Sequence, residues 1–159
     1  MKKNKTIAIV AHDNRKLDLI EWVEFNAASL IRHKIVCTGT TGRLLEEKLR
    51  SKLDEHELKE FEIIKLKSGP LGGDQQLGSL IVNGDIDVMI FFWDPMMPQA
   101  HDVDVKALLR ITVLYNIPTA CNRSTADFLI SSVLFDGEYL RKLHDYSDYI
   151  NRDLESGND

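Results

Sequence analysis

Asp74 stands where a carboxylate is chemically out of place. The stretch Ser68-Gly69-Pro70-Leu71-Gly72-Gly73-Asp74-Gln75-Gln76 joins a strand-like run to a helical pattern that begins around Asp74. A glycine-rich turn of this kind offers free backbone N–H groups and the positive end of a helix dipole, and both attract an anion such as phosphate. A carboxylate there repels that ligand. If the turn holds an anion, the carboxylate has a task that outweighs the repulsion, and proton transfer is the obvious one. The bland alternative is a helix cap, a position that Asp favours.

Other turns carry residues of matching chemistry. Ala11-His12-Asp13-Asn14-Arg15-Lys16 follows the first apolar run. Asp13 or Asn14 would serve as a cap and Lys16 as a solvent-facing residue, or His12 and Lys16 supply donors to an anion, Lys as a mobile point charge. Thr38-Gly39-Thr40-Thr41-Gly42 brings hydroxyl and N–H donors before a helix, without the lysine of a P-loop. Its alternative is an ordinary cap with a glycine turn. Trp93-Asp94-Pro95 leads to His101-Asp102-Val103-Asp104, where Asp102 and Asp104 suit the positive start of a helix. A histidine flanked by those acids, on the same sheet edge as Asp74, can be oriented by one of them and then polarise or protonate a substrate oxygen. Asn122-Arg123-Ser124-Thr125-Ala126-Asp127 reads as a capped helix with Asp127 in its first turn.

The elements that must position these residues alternate along the chain. Thr6–Ala11, Lys34–Thr38, Phe61–Leu66, Asp87–Trp93 and Pro118–Cys121 read as strands. Between and after them, Leu17, Ile20, Val23, Ala27 and Leu30 recur at helical spacing, as do Leu45, Leu49 and Leu53, then Leu77, Leu80 and Ile81, then Val105, Leu108, Leu109 and Thr112, and last Ala126, Phe128 and Leu129. The segment from Glu46 to Glu60 reads as a solvated helix extension. From about residue 136 the pattern is polar with scattered tyrosines, a peripheral segment. Apolar, mostly non-alternating strands joined by helices predict an α/β fold, a three-layer, Rossmann-like parallel sheet covered on both faces. Such folds gather their strand-to-helix turns, and their ligands, at the carboxyl ends of the strands.

Composition narrows the partners. The chain has 159 residues, 43% of them hydrophobic, as expected for one globular domain over 1–159. A net charge of -5 gives no global field to gather nucleic acid or acidic lipid, so local donors must hold an anionic ligand. Val88-Met89-Ile90-Phe91-Phe92-Trp93 is too short to span a bilayer. The basic start, Met1-Lys2-Lys3-Asn4-Lys5, leads into a strand-like run rather than a signal-peptide core. Cys37 and Cys121 lack metal-ligand spacing and read as buried thiols in a reducing cytoplasm. No serine or cysteine nucleophile with an evident base is visible, and G-x-G-x-x-G does not occur. Phosphate donors, one carboxylate among glycines and a histidine suit proton abstraction beside a carbonyl on a small phosphorylated compound.

From near the N-terminus to about Ser131 the chain resembles the methylglyoxal synthase family. The resemblance rests on Val10-Ala11-His12-Asp13, Thr38-Gly39-Thr40-Thr41-Gly42, Ser68 to Gln76, Phe91-Phe92-Trp93-Asp94-Pro95, His101-Asp102-Val103-Asp104-Val105-Lys106-Ala107-Leu108-Leu109-Arg110 and Thr125-Ala126-Asp127. The third and fifth of these segments together are its specific part. The resemblance implies conversion of dihydroxyacetone phosphate to methylglyoxal and orthophosphate, with no metal or organic cofactor. It implies Asp74 as the base, His101 on the substrate oxygens, and Asp104 orienting His101 or assisting proton transfer. His12, Lys16, Thr38, Gly39, Thr40, Thr41, Ser68 and Gly69 would hold the substrate, mostly its phosphate. A homohexamer, inhibition by phosphate and a cytoplasmic location are implied as well. The nearest candidate for the family's C-terminal arginine, which reaches a neighbouring subunit, is Arg152.

Two other readings share parts of this chemistry. A non-catalytic anion-binding module, like the regulatory domain of carbamoyl phosphate synthetases, needs the donors but not Asp74 with His101 and Asp104. A sugar-phosphate isomerase shares the proton abstraction but not the elimination.

Overall fold

The computed structural model describes residues 1–98 and 102–151. Strands β1 (Thr6–Ala11), β2 (Lys34–Thr38), β3 (Ile63–Leu66), β4 (Val88–Phe92) and β5 (Thr119–Ala120) form one sheet in the order β3-β2-β1-β4-β5. Every neighbouring pair is parallel. Helices α1 (Lys16–Phe25) and α2 (Ala27–Leu30) follow β1, and α3 (Gly39–Arg50) and α4 (Glu55–Glu60) follow β2. Then come α5 (Gly73–Val82) after β3, α6 (Asp102–Leu114) after β4, α7 (Arg123–Ile130) after β5, and the short α8 (Ser147–Ile150).

Alternate residues of each strand feed two separate cores. Ile7, Ile9, Ile35, Cys37, Val88, Ile90 and Phe92 lie under Leu19 and Trp22 of α1, Leu45 and Leu49 of α3, and Ala126 of α7. Ala8, Val10, Val36, Met89 and Phe91 face the other way, against Leu77 and Ile81 of α5 and Val105 and Leu108 of α6. A strand covered on both faces has no polar side, which is why Ile7-Ala8-Ile9-Val10 runs apolar without alternation. Each fully buried Leu, Ile or Phe contributes about 1.5–3 kcal/mol. The expected α/β architecture, helices on both faces of a parallel sheet, is the one found.

Several local expectations are corrected. The periodic run from Leu17 to Leu30 is two helices, because Asn26 turns its side-chain amide onto the Trp22 carbonyl (2.8 Å) and ends α1. Leu17 is 83% exposed, whereas Leu19 and Trp22 carry the buried stripe. The segment from Glu46 to Glu60 is no extension of α3. Asp54 accepts the amides of His56 and Glu57, while Glu57 accepts that of Asp54, and this reciprocal cap starts α4 as a separate helix. Phe61 donates its amide to the Glu57 carbonyl and finishes α4, so β3 begins at Ile63.

The segment after α7 lies against the amino ends of the strands. The Met1 ammonium donates to the Tyr139 carbonyl (2.7 Å), and the buried Lys5 ammonium donates to the Gly137 carbonyl (2.7 Å). His33 is buried beside them, accepting the Lys5 amide on Nδ1 (3.2 Å) and meeting Phe135 edge-on. Burial first, then the Lys5 and Arg32 cations, push the His33 imidazole down from 6.5 to about 4.

Between those values the unfolded chain binds a proton that the folded chain refuses. The His33 contribution to stability is therefore present above pH 6.5 and lost as pH falls toward 4, up to about 3 kcal/mol. His33→Asn keeps an acceptor for the Lys5 amide but cannot titrate. Denaturant titrations at intervals from pH 7.5 to 4 are expected to show a shallower loss for the variant than for the wild type.

Candidate active site

A cavity opens at the carboxyl edge of the sheet. The turn after β1 supplies His12, Asp13 and Lys16; the turn after β2 supplies Thr38, Gly39, Thr40 and Thr41. The turn after β3 supplies Ser68, Gly69, Pro70 and Asp74, while Phe91 and Val105 contribute from β4 and α6. Parallel pairing explains the convergence. Thr38 pairs with Leu66 and Ala11 with Phe92, so all these turns leave the sheet from the same side.

Helix α3 begins at Gly39 with Thr38 in extended backbone ahead of it, and no side chain caps that end. First-turn amides have no intrahelical acceptor and sit at the positive end of the dipole. Thr38 and Thr41 are almost wholly buried at this wall. The turns after β2 and β3 touch each other: a Cβ on Gly39, where φ is +32°, would lie 2.9 Å from Ser68 Cα. Gly73 is tighter still, since its Cβ would lie 2.1 Å from the Lys67 carbonyl oxygen. That oxygen and the Ser68 carbonyl, which accepts the amides of Leu71 and Gly73, run directly under the start of α5.

Asp74 is not the cap of α5. Gly72 holds that position and Asp74 is the second residue of the helix, half-buried, with its Oδ2 atom covered. Its carboxylate shares one cavity with the donors of three turns. The capping roles left open for Asp13 and Asn14 are also set aside, because neither end of the 3-10 turn Asp13–Arg15 nor the start of α1 carries a side-chain cap. Asp13 instead pairs with the Lys16 ammonium (2.5 Å). Lys16 is only 20% exposed while Asp13 faces solvent at 86%, so the cation belongs to the cavity wall and its carboxylate partner to the rim.

His12 is almost wholly buried, at 7% exposure, edge-on to Phe91, and its Nδ1 accepts the backbone N–H of Asp94 (3.3 Å). The Asp94 carboxylate accepts Asn14 Nδ2 on one oxygen and the Met96 amide on the other, both at 3.0 Å. The Asn14 bond, then the Met96 bond, hold the Asp94 carboxyl below the usual carboxylate range. Nothing in the sequence marked Asn14 as a partner of Asp94, since the two stand 80 positions apart.

Asp104 lies in the first turn of α6 and lines not this cavity but a neighbouring groove between α5 and α6, which Asp74 also lines. His101 and Arg152 lie outside the described residues. The capped helix expected at α7 is found, and its cap is Asn122, which accepts the Thr125 amide (2.9 Å). Asp127 is in the second turn and accepts Trp22 Nε1–H (2.8 Å), a structural bond rather than a helix-start charge. Cys37 is buried and Cys121 half-buried, and burial pushes both thiols up. Among the described residues no group of three or more His, Cys, Asp and Glu gathers as metal ligands would, and no helix is long and apolar enough to cross a membrane.

Residues 18–121 match the model of the MGS-like domain family. A methylglyoxal synthase from Maridesulfovibrio salexigens is 57% identical over 97% of this chain and 100% of its own length. The chain belongs to the methylglyoxal synthase family. A second member, from Oleidesulfovibrio alaskensis, is 53% identical over 96% of this chain and 97% of its own length. The crystal structure of a methylglyoxal synthase from Elizabethkingia anophelis superposes with a TM-score of 0.86 at 47% identity, covering 98% of this chain and 96% of that one. Members of the family are enzymes, and this chain is one of them over nearly its whole length.

The close approach within the turn after β3 makes a direct prediction for this methylglyoxal synthase family member. Gly73→Ala must displace the Lys67–Ser68 backbone, at a cost on the order of 2–4 kcal/mol. Thermal denaturation is expected to show that loss, and isothermal titration with inorganic phosphate a parallel loss of affinity. Unchanged phosphate binding by a folded Gly73→Ala protein would separate this turn from the anion site.

Proposed function

We propose that this enzyme is a carbon–oxygen lyase that converts dihydroxyacetone phosphate to methylglyoxal and orthophosphate. The observation that carries the reading is Asp74, a half-buried carboxylate in the cavity wall among hydroxyls, first-turn amides, His12 and Lys16, while the Asp13 carboxylate stands at the solvent-exposed rim. The names of its relatives supply the product, and a phosphorylated three-carbon ketone fits the donors.

In this reading the phosphoryl group rests on the turns after β2 and β3, near Lys16 and His12. Asp74 takes a proton from the hydroxymethyl carbon and the electron pair forms an enediolate. That pair then expels phosphate as the carbon–oxygen bond breaks, and the enol left behind takes up a proton to become methylglyoxal. Charge moves onto the phosphate as it departs. Amides already aimed at it and the Lys16 ammonium stabilise that change without reorganising, roughly 3 kcal/mol for each well-aimed donor. Elimination also requires the breaking bond to align with the enediolate π system, so the donors' geometry decides between loss of phosphate and isomerisation.

His101, on the segment leading into α6, is assigned to the substrate oxygens, with Asp104 orienting it or assisting proton transfer. The reaction needs no organic cofactor and no metal. We further propose a cytoplasmic homohexamer inhibited by phosphate, as the family resemblance implies, with the chain forming one domain over 1–159 and no nucleic acid or membrane among its partners.

The test is to mix the purified protein with dihydroxyacetone phosphate and follow both orthophosphate and trapped methylglyoxal. Both are expected in equal amounts. A binding module gives neither, and an isomerase gives another triose phosphate. Asp74→Asn is expected to lower kcat by at least about 10³-fold while phosphate still binds. Turnover equal to the wild type would remove Asp74 as the base. Lys16→Ala is expected to raise KM by about tenfold or more, with a smaller effect on kcat. An unchanged KM in that variant would take Lys16 out of the phosphate site.

A further inference from the structure

We infer that Asn14 and Asp94 are positioning residues that lock His12 as its Nε2–H tautomer, so that the cavity meets its anionic substrate with a neutral imidazole donor. A neutral imidazole has one N–H and one lone pair, and the partner of one nitrogen decides the other. The backbone N–H of Asp94 can only donate, and it donates to His12 Nδ1 (3.3 Å). Nδ1 therefore holds the lone pair and Nε2 the hydrogen. Protonating the ring would set an N–H on Nδ1 against the Asp94 N–H and remove that bond.

The lock is built from both loops. His12 donates its own backbone N–H to the Phe92 carbonyl (3.2 Å), so the turn after β1 and the turn after β4 stay in register one step beyond the sheet. The Asp94 amide meets the imidazole on the next step. Its orientation is held by the carboxylate of the same residue, which Asn14 Nδ2 grips from the first turn and the Met96 amide from the second. Phe91 meets the ring edge-on with centroids 5.1 Å apart, which limits rotation of the imidazole. His12 is nearly buried, so the choice of tautomer is not averaged by water. His33, at the opposite edge of the sheet, accepts a backbone N–H on Nδ1 in the same way and is a neutral ring.

The inference deepens the lyase reading by defining what His12 offers the substrate. A neutral N–H donates to a phosphoryl or carbonyl oxygen without adding a positive charge that would hold the phosphate product more tightly. Lys16 then supplies the mobile cation at the cavity wall.

The experiment is nitrogen-15 NMR of the histidine side chains in the full-length protein at pH 7.5, with His12 assigned from a His12→Gln sample. The expected result is an unprotonated Nδ1 and a protonated Nε2. A ring protonated on Nδ1, or on both nitrogens, overturns the proposal. Asn14→Ala is then expected to shift His12 toward a mixture of tautomers and to lower kcat/KM about tenfold, with the fold unchanged by circular dichroism. Asp94→Asn, which keeps an oxygen for only one of its two donors, is expected to fall between the wild type and Asp94→Ala in both signals. A wild-type tautomer and wild-type kinetics in Asn14→Ala would dismiss Asn14 and Asp94 as positioning residues. The tautomer is read without substrate, so absence of methylglyoxal from the wild type counts against the lyase reading and not against this one.

Discussion

Parallel pairing of β1, β2 and β3 is the constraint on which the cavity depends. Parallel strands all end on the same side, and each must hand its chain to a helix there. Three such turns line one cavity, with Gly39 of the second against the Ser68 backbone of the third. Their amides cannot spread apart, because the strands beneath them are fixed in register. A concentration of N–H donors follows from the sheet itself, before any charged side chain is considered.

That neutral scaffold lets charge be used sparingly. The chain carries a net charge of -5, so its long-range field repels rather than gathers an anion. Any attraction for an anion has to be local: first-turn amides, the hydroxyls of the β2 turn and the Lys16 ammonium on the cavity wall. Lys16 is itself paired with Asp13 at the rim, so an anion entering the cavity would compete with a solvent-exposed carboxylate rather than with a buried one. Asp74 adds a negative charge within the same wall. Its position on the second residue of α5 places it near the positive end of that helix.

The two edges of the sheet divide the work. The amino ends are tied down by the segment after α7, with Met1, Lys5 and Arg141 donating to backbone carbonyls of Tyr139, Gly137 and Ile86. Lys5 is nearly inaccessible there, a buried cation whose bonds to carbonyls and place over Phe135 offset its desolvation. The carboxyl ends carry open turns and polar side chains that do little for the core. Stability gathered at one edge leaves the other free to hold donors that a ligand must satisfy.

Much of this was legible in the residues alone. Both-face burial makes a strand apolar throughout, so Thr6–Ala11 and Lys34–Thr38 could be read with their boundaries as found, and the alternation of strand and helix determined a parallel sheet. The glycine turns left Asp74 with two readings, a base at an anion site or a helix cap, and the structure sets the cap aside because Gly72 holds it. Local bonding defeated periodicity elsewhere: Asn26 divides one apolar row into two helices, and Asp54 with Glu57 starts α4 where a continuous helix was expected. Only the tertiary structure decided that Asn14 reaches Asp94, that Asp94 turns its amide to His12, that Asp127 serves Trp22, and that Asp104 faces a groove beside the cavity rather than the cavity itself. Residue type and spacing report what a segment does with its own backbone. Hydrogen bonds between segments 80 or more positions apart depend on sheet order and register, which no single segment encodes.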